Sequence, residues 1–297
     1  MQLTLLLDGK HELGEGIRWC ERTQRVFWTD IQGAKLWCHS PISGTTQSWV
    51  LPERMATYSF TNDVDCLLLG FASRLAFFNL ATSAITPICT IEADLPTTRL
   101  NDGRCDRQGR FVFGTLNESS EREPIGSYYR LNTDLTLEQL ALPHTAIPNS
   151  ICFSIDGCTM YYCDSMHKAI WCCAYDPVSG AVQNSRIFAD LSDQPGSPDG
   201  STIDADGYLW NAQWGGARVV RFAPDGSIER MVSLPVDQPS CPTFGGANLD
   251  ELFVTSAHES MSDEYMARQP LAGSVFHAKL EGIKGLLETR FGGTTPA

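Results

Sequence analysis

Short apolar runs in which polar and apolar residues alternate recur along the whole chain, and turn-forming pairs separate them. The clearest example begins with the entry Pro198-Asp199-Gly200 and the run Ser201-Thr202-Ile203-Asp204, and turns at Asp206-Gly207. It continues through the aromatic run Tyr208 to Trp214, Gly215-Gly216, Arg218-Val219-Val220-Arg221-Phe222, a turn at Pro224-Asp225-Gly226, and Ile228 to Val232. Period-two runs bounded by Asp-Gly and Gly-Gly pairs predict consecutive hairpins, so this stretch is expected to form one four-stranded antiparallel sheet. A single sheet of this size cannot bury both faces and needs neighbours.

The same order repeats six times. One second-strand marker per copy (Trp28, Leu69, Phe113, Tyr161, Trp210 and Phe253) gives gaps of 41, 44, 48, 49 and 43 residues. Four strands in a period of about 40 to 50 residues predict an all-β, six-bladed β-propeller. Residues 1–297 are read as a single such domain, with Leu3 to Leu7 left over to pair with the last blade and close an exposed edge. The second and third strands of the third and sixth copies are separated by insertions, Asn117 to Gly126 and His258 to Gly273. Both are longer than ordinary hairpin loops and are candidates to shape a pocket.

Composition narrows the partners. Of 297 residues, 22 are Lys or Arg and 35 are Asp or Glu, a net charge of −13, which argues against nucleic-acid and anionic-lipid surfaces. No stretch is apolar enough to span a bilayer, and Met1 to Asp8 lacks the basic and hydrophobic regions of a signal peptide. The 11 cysteines are scattered with no C-x-x-C pair. They read as small buried hydrophobes in a reduced, cytoplasmic protein.

The first strand of each blade lines a propeller's axis, so residues entering those strands meet there. The entries are Glu15, Thr57, Asn101, Asn149, Asp199 and Thr243, most of them 11 to 13 residues before their markers. Carboxylates crowded at an apolar channel need a cation or hydrogen bonds. Oxygen donors suit Ca²⁺, Mg²⁺ or Mn²⁺, with Zn²⁺ also compatible. A single Asp-Gly or Asn-Asp-Gly is usually a plain turn; several at equivalent places point to a site. No nucleophile elbow, H-E-x-x-H, P-loop or dinucleotide fingerprint is present. Asp204-Ala205-Asp206-Gly207 lacks the later glutamate of a calcium loop and is expected to be a hairpin turn.

Leu13-Gly14-Glu15-Gly16 with Trp19, Arg99-Leu100-Asn101-Asp102-Gly103, Pro148-Asn149-Ser150, Ile155-Asp156-Gly157, Pro198-Asp199-Gly200, Phe244-Gly245-Gly246 and Arg268 to Gly273 follow one another in a familiar order. In these segments the chain resembles the SMP-30/gluconolactonase/regucalcin-like lactonases. The resemblance implies one divalent metal ion held by Glu15, Asn149 and Asp199, with Arg99 and Asn101 meeting the substrate. Some members carry a further substrate-contacting acid in the third-blade insertion. The aligned position here is Ser119, next to Glu118, and both are candidate substrate contacts.

The expectation is a metal-dependent lactonase that opens a small neutral sugar lactone to its aldonic acid, with Asp199 as general base. An arabinono- or galactono-1,4-lactone or a gluconolactone is the expected substrate, and the protein is expected to be a monomer or weak oligomer. The rival readings are a phosphotriesterase-type metal hydrolase and a non-catalytic calcium-binding regulator or scaffold.

Overall fold

A computed structural model describes residues 3–296; the first two residues of the stretch read for a signal peptide, Met1 and Gln2, and the last residue of the expected domain, Ala297, lie outside the described residues. The fold is that of a six-bladed β-propeller. Each blade is a four-stranded antiparallel sheet whose strands follow one another in sequence, except that the sixth is completed by Thr4–Leu7. The first strands are Gly14–Cys20, Met55–Phe60, Thr98–Cys105, Pro148–Phe153, Ser197–Ile203 and Pro239–Gly245. The expected closing strand is present: Thr4 pairs with His277 and Leu5 with Phe276 in the last strand of blade six.

By contacts the chain divides into two compact units, Met1–Arg54 with Ala189–Leu287, and Met55–Phe188 with Glu288–Ala297. In the first unit, the first strand of blade six packs against those of blades one and five. In the second, the first strand of blade three packs against those of blades two and four.

Burial explains why strict alternation fades in the middle of each blade. The second strand Phe111–Asn117 is buried at every position, because the blades on either side of it cover both faces. In the first unit, Ile17, Trp19, Val26 and Trp28 of blade one share a core with Cys241, Phe253 and Val275 of blade six, and Trp19 stacks on Phe253 at 5.8 Å. In the second unit, Val112 and Tyr128 of blade three pack on Ile151, Phe153, Met160 and Tyr162 of blade four. Fourth strands such as Thr46–Val50 are mostly exposed and polar.

All eleven cysteines are free thiols, and all but Cys89 and Cys158 are buried. Asp204 turns its hairpin as expected, but it is also wholly buried. Its Oδ1 accepts from the backbone N of Asp206 and Tyr208, and its Oδ2 from Trp210 Nε1 at 2.9 Å and Arg221 Nε at 2.8 Å. The sixth-blade insertion contains a short helix, Asp263–Arg268, capped by Ser262 Oγ. The tail after Leu287 lies in the second unit, where Phe291 N donates to Phe60 O and Glu288 meets Arg104 at 3.2 Å.

Candidate active site

The residues singled out at the blade entries do not precede the first strands; they lie inside them, at an irregularity. In blades one, three, four, five and six the first strand carries two residues opposite one on the second strand, a β-bulge. Glu15 and Asn149 immediately precede their bulges, while Asn101 and Asp199 open theirs. In blade six the bulge falls at Ser240-Cys241, so Thr243 lies beyond it, buried opposite Phe253. Spacing from the marker misplaced that entry because the markers differ in register: Phe253 pairs with Thr243 beyond the bulge, whereas Trp28 lies opposite the bulge of blade one.

In the first unit, Asp199 is 5% exposed. Its bulge is braced by Asn211, whose Nδ2 donates to Asp199 O at 2.8 Å and to Ser201 Oγ at 2.9 Å. Gln213 in turn donates to Asn211 Oδ1. Asn211 thereby occupies the Asp199 and Gly200 carbonyls in the bulge, where the ladder is interrupted. Gly200 is required by close approach: a Cβ there would come within 2.9 Å of the Cys241 backbone. Glu15 Oε2 accepts from Gly16 N at 2.9 Å, and Ser240 Oγ donates to Gly14 O at 2.5 Å just before it.

In the second unit, four of the expected residues form one hydrogen-bonded row. Arg99, buried, donates through Nε to Glu118 Oε1 at 3.0 Å, and through Nη1 to Leu100 O at 2.8 Å and Asn101 Oδ1 at 3.0 Å. Asn101 Nδ2 donates to Pro148 O at 2.9 Å and to Asn149 Oδ1 at 3.1 Å. Asn149 Nδ2 donates to Ser165 Oγ at 2.9 Å. Asp102 fastens the strands beneath this row, accepting from Gly103 N and Ile151 N, each at 2.8 Å. Glu118, one-third exposed, is the insertion residue that reaches Arg99. The backbone of Ser119 shapes the same loop, its N donating to Asn117 Oδ1 and its carbonyl accepting from Arg122 N.

The roles of Asp102, Ser165, Asn211 and Gln213 were not singled out from sequence: Asp102 reaches Ile151 across 49 positions and Ser165 reaches Asn149 across 16, while Gln213 acts through Asn211. Among the described residues, no three His, Cys, Asp or Glu side chains gather as metal ligands. The expected set of Glu15, Asn149 and Asp199 differs in having only two carboxylates, with an amide oxygen as the third donor. All three donors are oxygens, the chemistry a hard divalent ion takes.

Buried His11 is accounted for elsewhere. Its Nε2 accepts from Trp28 Nε1 at 2.8 Å and its Nδ1 faces Asp30 at 3.8 Å, a structural arrangement under blade one.

Residues 13–258 match the model of the SMP-30/Gluconolactonase/LRE-like region. This chain belongs to that family. L-arabinolactonase of Azospirillum brasilense is 51% identical over 295 residues, which cover 99% of this chain and 96% of that protein. Regucalcin of Gallus gallus is 31% identical over 289 residues, 96% of each. Among solved structures, a calcium-binding protein, regucalcin, from Agrobacterium tumefaciens superimposes with a TM-score of 0.92 at 30% identity, covering 98% of this chain and 97% of that one. Family membership and the six blades agree with what the sequence motifs implied. Among the described residues, no helix is long and apolar enough to cross a membrane.

Proposed function

We propose that this SMP-30/gluconolactonase family member is a metal-dependent lactonase that opens a neutral sugar 1,4-lactone, of the arabinonolactone kind, to the aldonic acid. The observation that carries this reading is the row Glu118–Arg99–Asn101–Asn149, which joins the expected substrate contacts to an expected metal ligand through bonds of 3.0 to 3.1 Å. The 51% identity to an L-arabinolactonase along nearly the whole chain supports the substrate class. Glu118 neutralises Arg99, and the chain's net charge is −13, so a neutral lactone suits the protein better than an anionic ester.

Glu15, Asn149 and Asp199 are the proposed ligands of one divalent ion, which supplies Lewis-acid polarisation of the lactone carbonyl. Asp199 is the proposed general base. It takes a proton from the attacking water as the oxygen adds to the carbonyl carbon. It then returns that proton to the ring oxygen as the acyl C–O bond breaks, leaving a carboxylic acid and a hydroxyl. Asn101 and Glu118 offer polar atoms to ring hydroxyls. A pocket that pairs hydroxyls rejects analogues without them, because its own polar groups are left unpaired.

The test is ring opening of arabinono-1,4-lactone, galactono-1,4-lactone, glucono-1,5-lactone and unsubstituted butyrolactone, before and after chelation and with Ca²⁺, Mg²⁺, Mn²⁺ or Zn²⁺ restored. Sugar lactones should be opened with the metal and not without it. Asp199→Asn should abolish turnover. Opening that survives chelation, full activity in Asp199→Asn, or a bare lactone processed as fast as the sugars would overturn the proposal.

A further inference from the structure

The hydrogen-bonded row in the second unit has a polarity, fixed by the groups in it that can only donate or only accept. Arg99 can only donate. Its Nη1 lies 3.0 Å from one amide atom of Asn101, so that atom must be the oxygen. The nitrogen of Asn101 then faces Pro148 O at 2.9 Å, a group that can only accept, which agrees. The same nitrogen lies 3.1 Å from an amide atom of Asn149, which must again be oxygen. The nitrogen of Asn149 is thereby turned to Ser165 Oγ at 2.9 Å, where a hydroxyl lone pair receives it.

Ser165 is itself held firmly in place. It opens the one-turn segment Ser165–His167, and its N donates to Ile147 O at 3.0 Å. Asp164 beside it accepts from Ala146 N at 2.8 Å and Ile147 N at 3.2 Å. The Asp164-Ser165 pair therefore grips both the backbone leading into Asn149 and the far end of its side chain.

An amide that must present oxygen to a cation loses its purpose when flipped, because it then presents two N–H groups. We propose that Arg99 and Ser165 are positioning residues that hold Asn149 with its carbonyl oxygen toward the divalent-ion site, Arg99 acting through Asn101 and Ser165 directly. This rests on the reading of Asn149 as a metal ligand. It assigns Arg99 a role beyond substrate contact, and it gives Ser165 a function that no motif announces. Residues that orient a metal ligand typically change metal affinity by about 10- to 100-fold when removed.

The test is calorimetric titration of Ca²⁺ and Mn²⁺ into the chelator-treated full chain, with thermal melts alongside. Asn149→Ala is the control and should lose the ion. Ser165→Ala and Arg99→Met should weaken binding about tenfold or more, and Ser165→Thr, which keeps the hydroxyl, should restore it. Melting points of the Ser165 variants should stay close to that of the parent chain. Unchanged affinity in Asn149→Ala would show that the ligand assignment is wrong and would take this proposal with it. Loss in Asn149→Ala with unchanged affinity in Ser165→Ala and Arg99→Met would overturn the positioning role alone. Should Arg99→Met fail to fold, the Ser165 pair decides the matter.

Discussion

Gly16 and Ser150, in different blades, hold the same left-handed backbone, with φ of +59° and +61°. Each directly follows a proposed ligand, Glu15 or Asn149, and each sits in the bulge that aims it. A non-glycine residue in this region costs about 1 to 2 kcal/mol, and strain of this kind gathers at functional sites. Ser150→Gly should therefore keep metal affinity and change stability by less than about 1 kcal/mol, since relief in the folded state is offset by a more disordered unfolded chain. Gly16→Val should cost more than about 2 kcal/mol and weaken the ion, because a β-branched residue resists this φ. Urea denaturation with metal titration measures both; a Gly16→Val chain that binds as tightly as its parent would refute the role of the bulge.

Asp204 and Arg221 bury a charge pair inside blade five, with Trp210 completing the carboxylate's partners. Removing one member of a buried pair leaves the other uncompensated, at a cost of about 3 to 5 kcal/mol. Asp204→Ala should fall at the low end of that range, because Asp206 and Glu229 also reach Arg221, each at 3.2 Å. The urea midpoint should drop with an unchanged slope. Lactone KM should stay near the parent value in whatever fraction remains folded.

Acid should loosen blade one through Asp30. Burial alone would raise its pKa, but the neighbouring His11 ring and the backbone donors Leu13 N and Gly33 N outweigh that and hold it below the ordinary 3.8. A carboxyl depressed in the folded state adds stability that is present above the unfolded value and is lost as pH falls through the folded one. Asp30→Asn should therefore be less stable than the parent at pH 7, and the difference should close below about pH 3.8. Denaturation midpoints across that range provide the check, and a gap independent of pH would rule the linkage out.

Thiol chemistry should single out one position. Burial pushes Cys38, Cys152 and Cys173 up to about 12, so they stay protonated and shielded near neutrality. Cys158 alone among the eleven is exposed. A native-state titration with an aromatic disulfide should register one fast thiol, lost in Cys158→Ser, and ten more only on unfolding. A fast thiol other than Cys158 and half-buried Cys89 in the native chain would contradict the packing of the blades.

The six-blade fold was legible because a propeller repeats a single unit, and Trp28, Leu69, Phe113, Tyr161, Trp210 and Phe253 mark that repeat. Glu15, Asn101, Asn149 and Asp199 stand out in the same repeat as polar residues 11 to 13 positions before the markers, and the family resemblance names three of them as proposed ligands. Bulges were not, since the extra residue in the first strand carries no residue type of its own and the strands there are buried on both faces, so no alternation is left to break. That is why Thr243 was grouped with Asp199 although blade six places its bulge at Ser240-Cys241. Hydrogen-bond partners were hidden too: Asn149 meets Asn101 across 48 positions and Ser165 across 16. Only the fold brings those pairs together.

The pairing of Thr4 with His277 spans 273 positions, so blade six is assembled from opposite ends of the chain. During synthesis Thr4–Leu7 must wait for nearly the whole of the propeller to be made before it finds its partner, at about 5 to 20 residues per second. For those many seconds it is an unmatched strand able to pair with another copy of itself. Glu15 follows it closely in the chain, so a nascent protein caught in such a pairing would be misassembled next to one of its own proposed metal ligands. Yield of soluble protein should therefore respond to charged substitutions at exposed Leu5 more than to equal changes on the outer strand Thr46–Val50, whose neighbours in the sheet are made together with it.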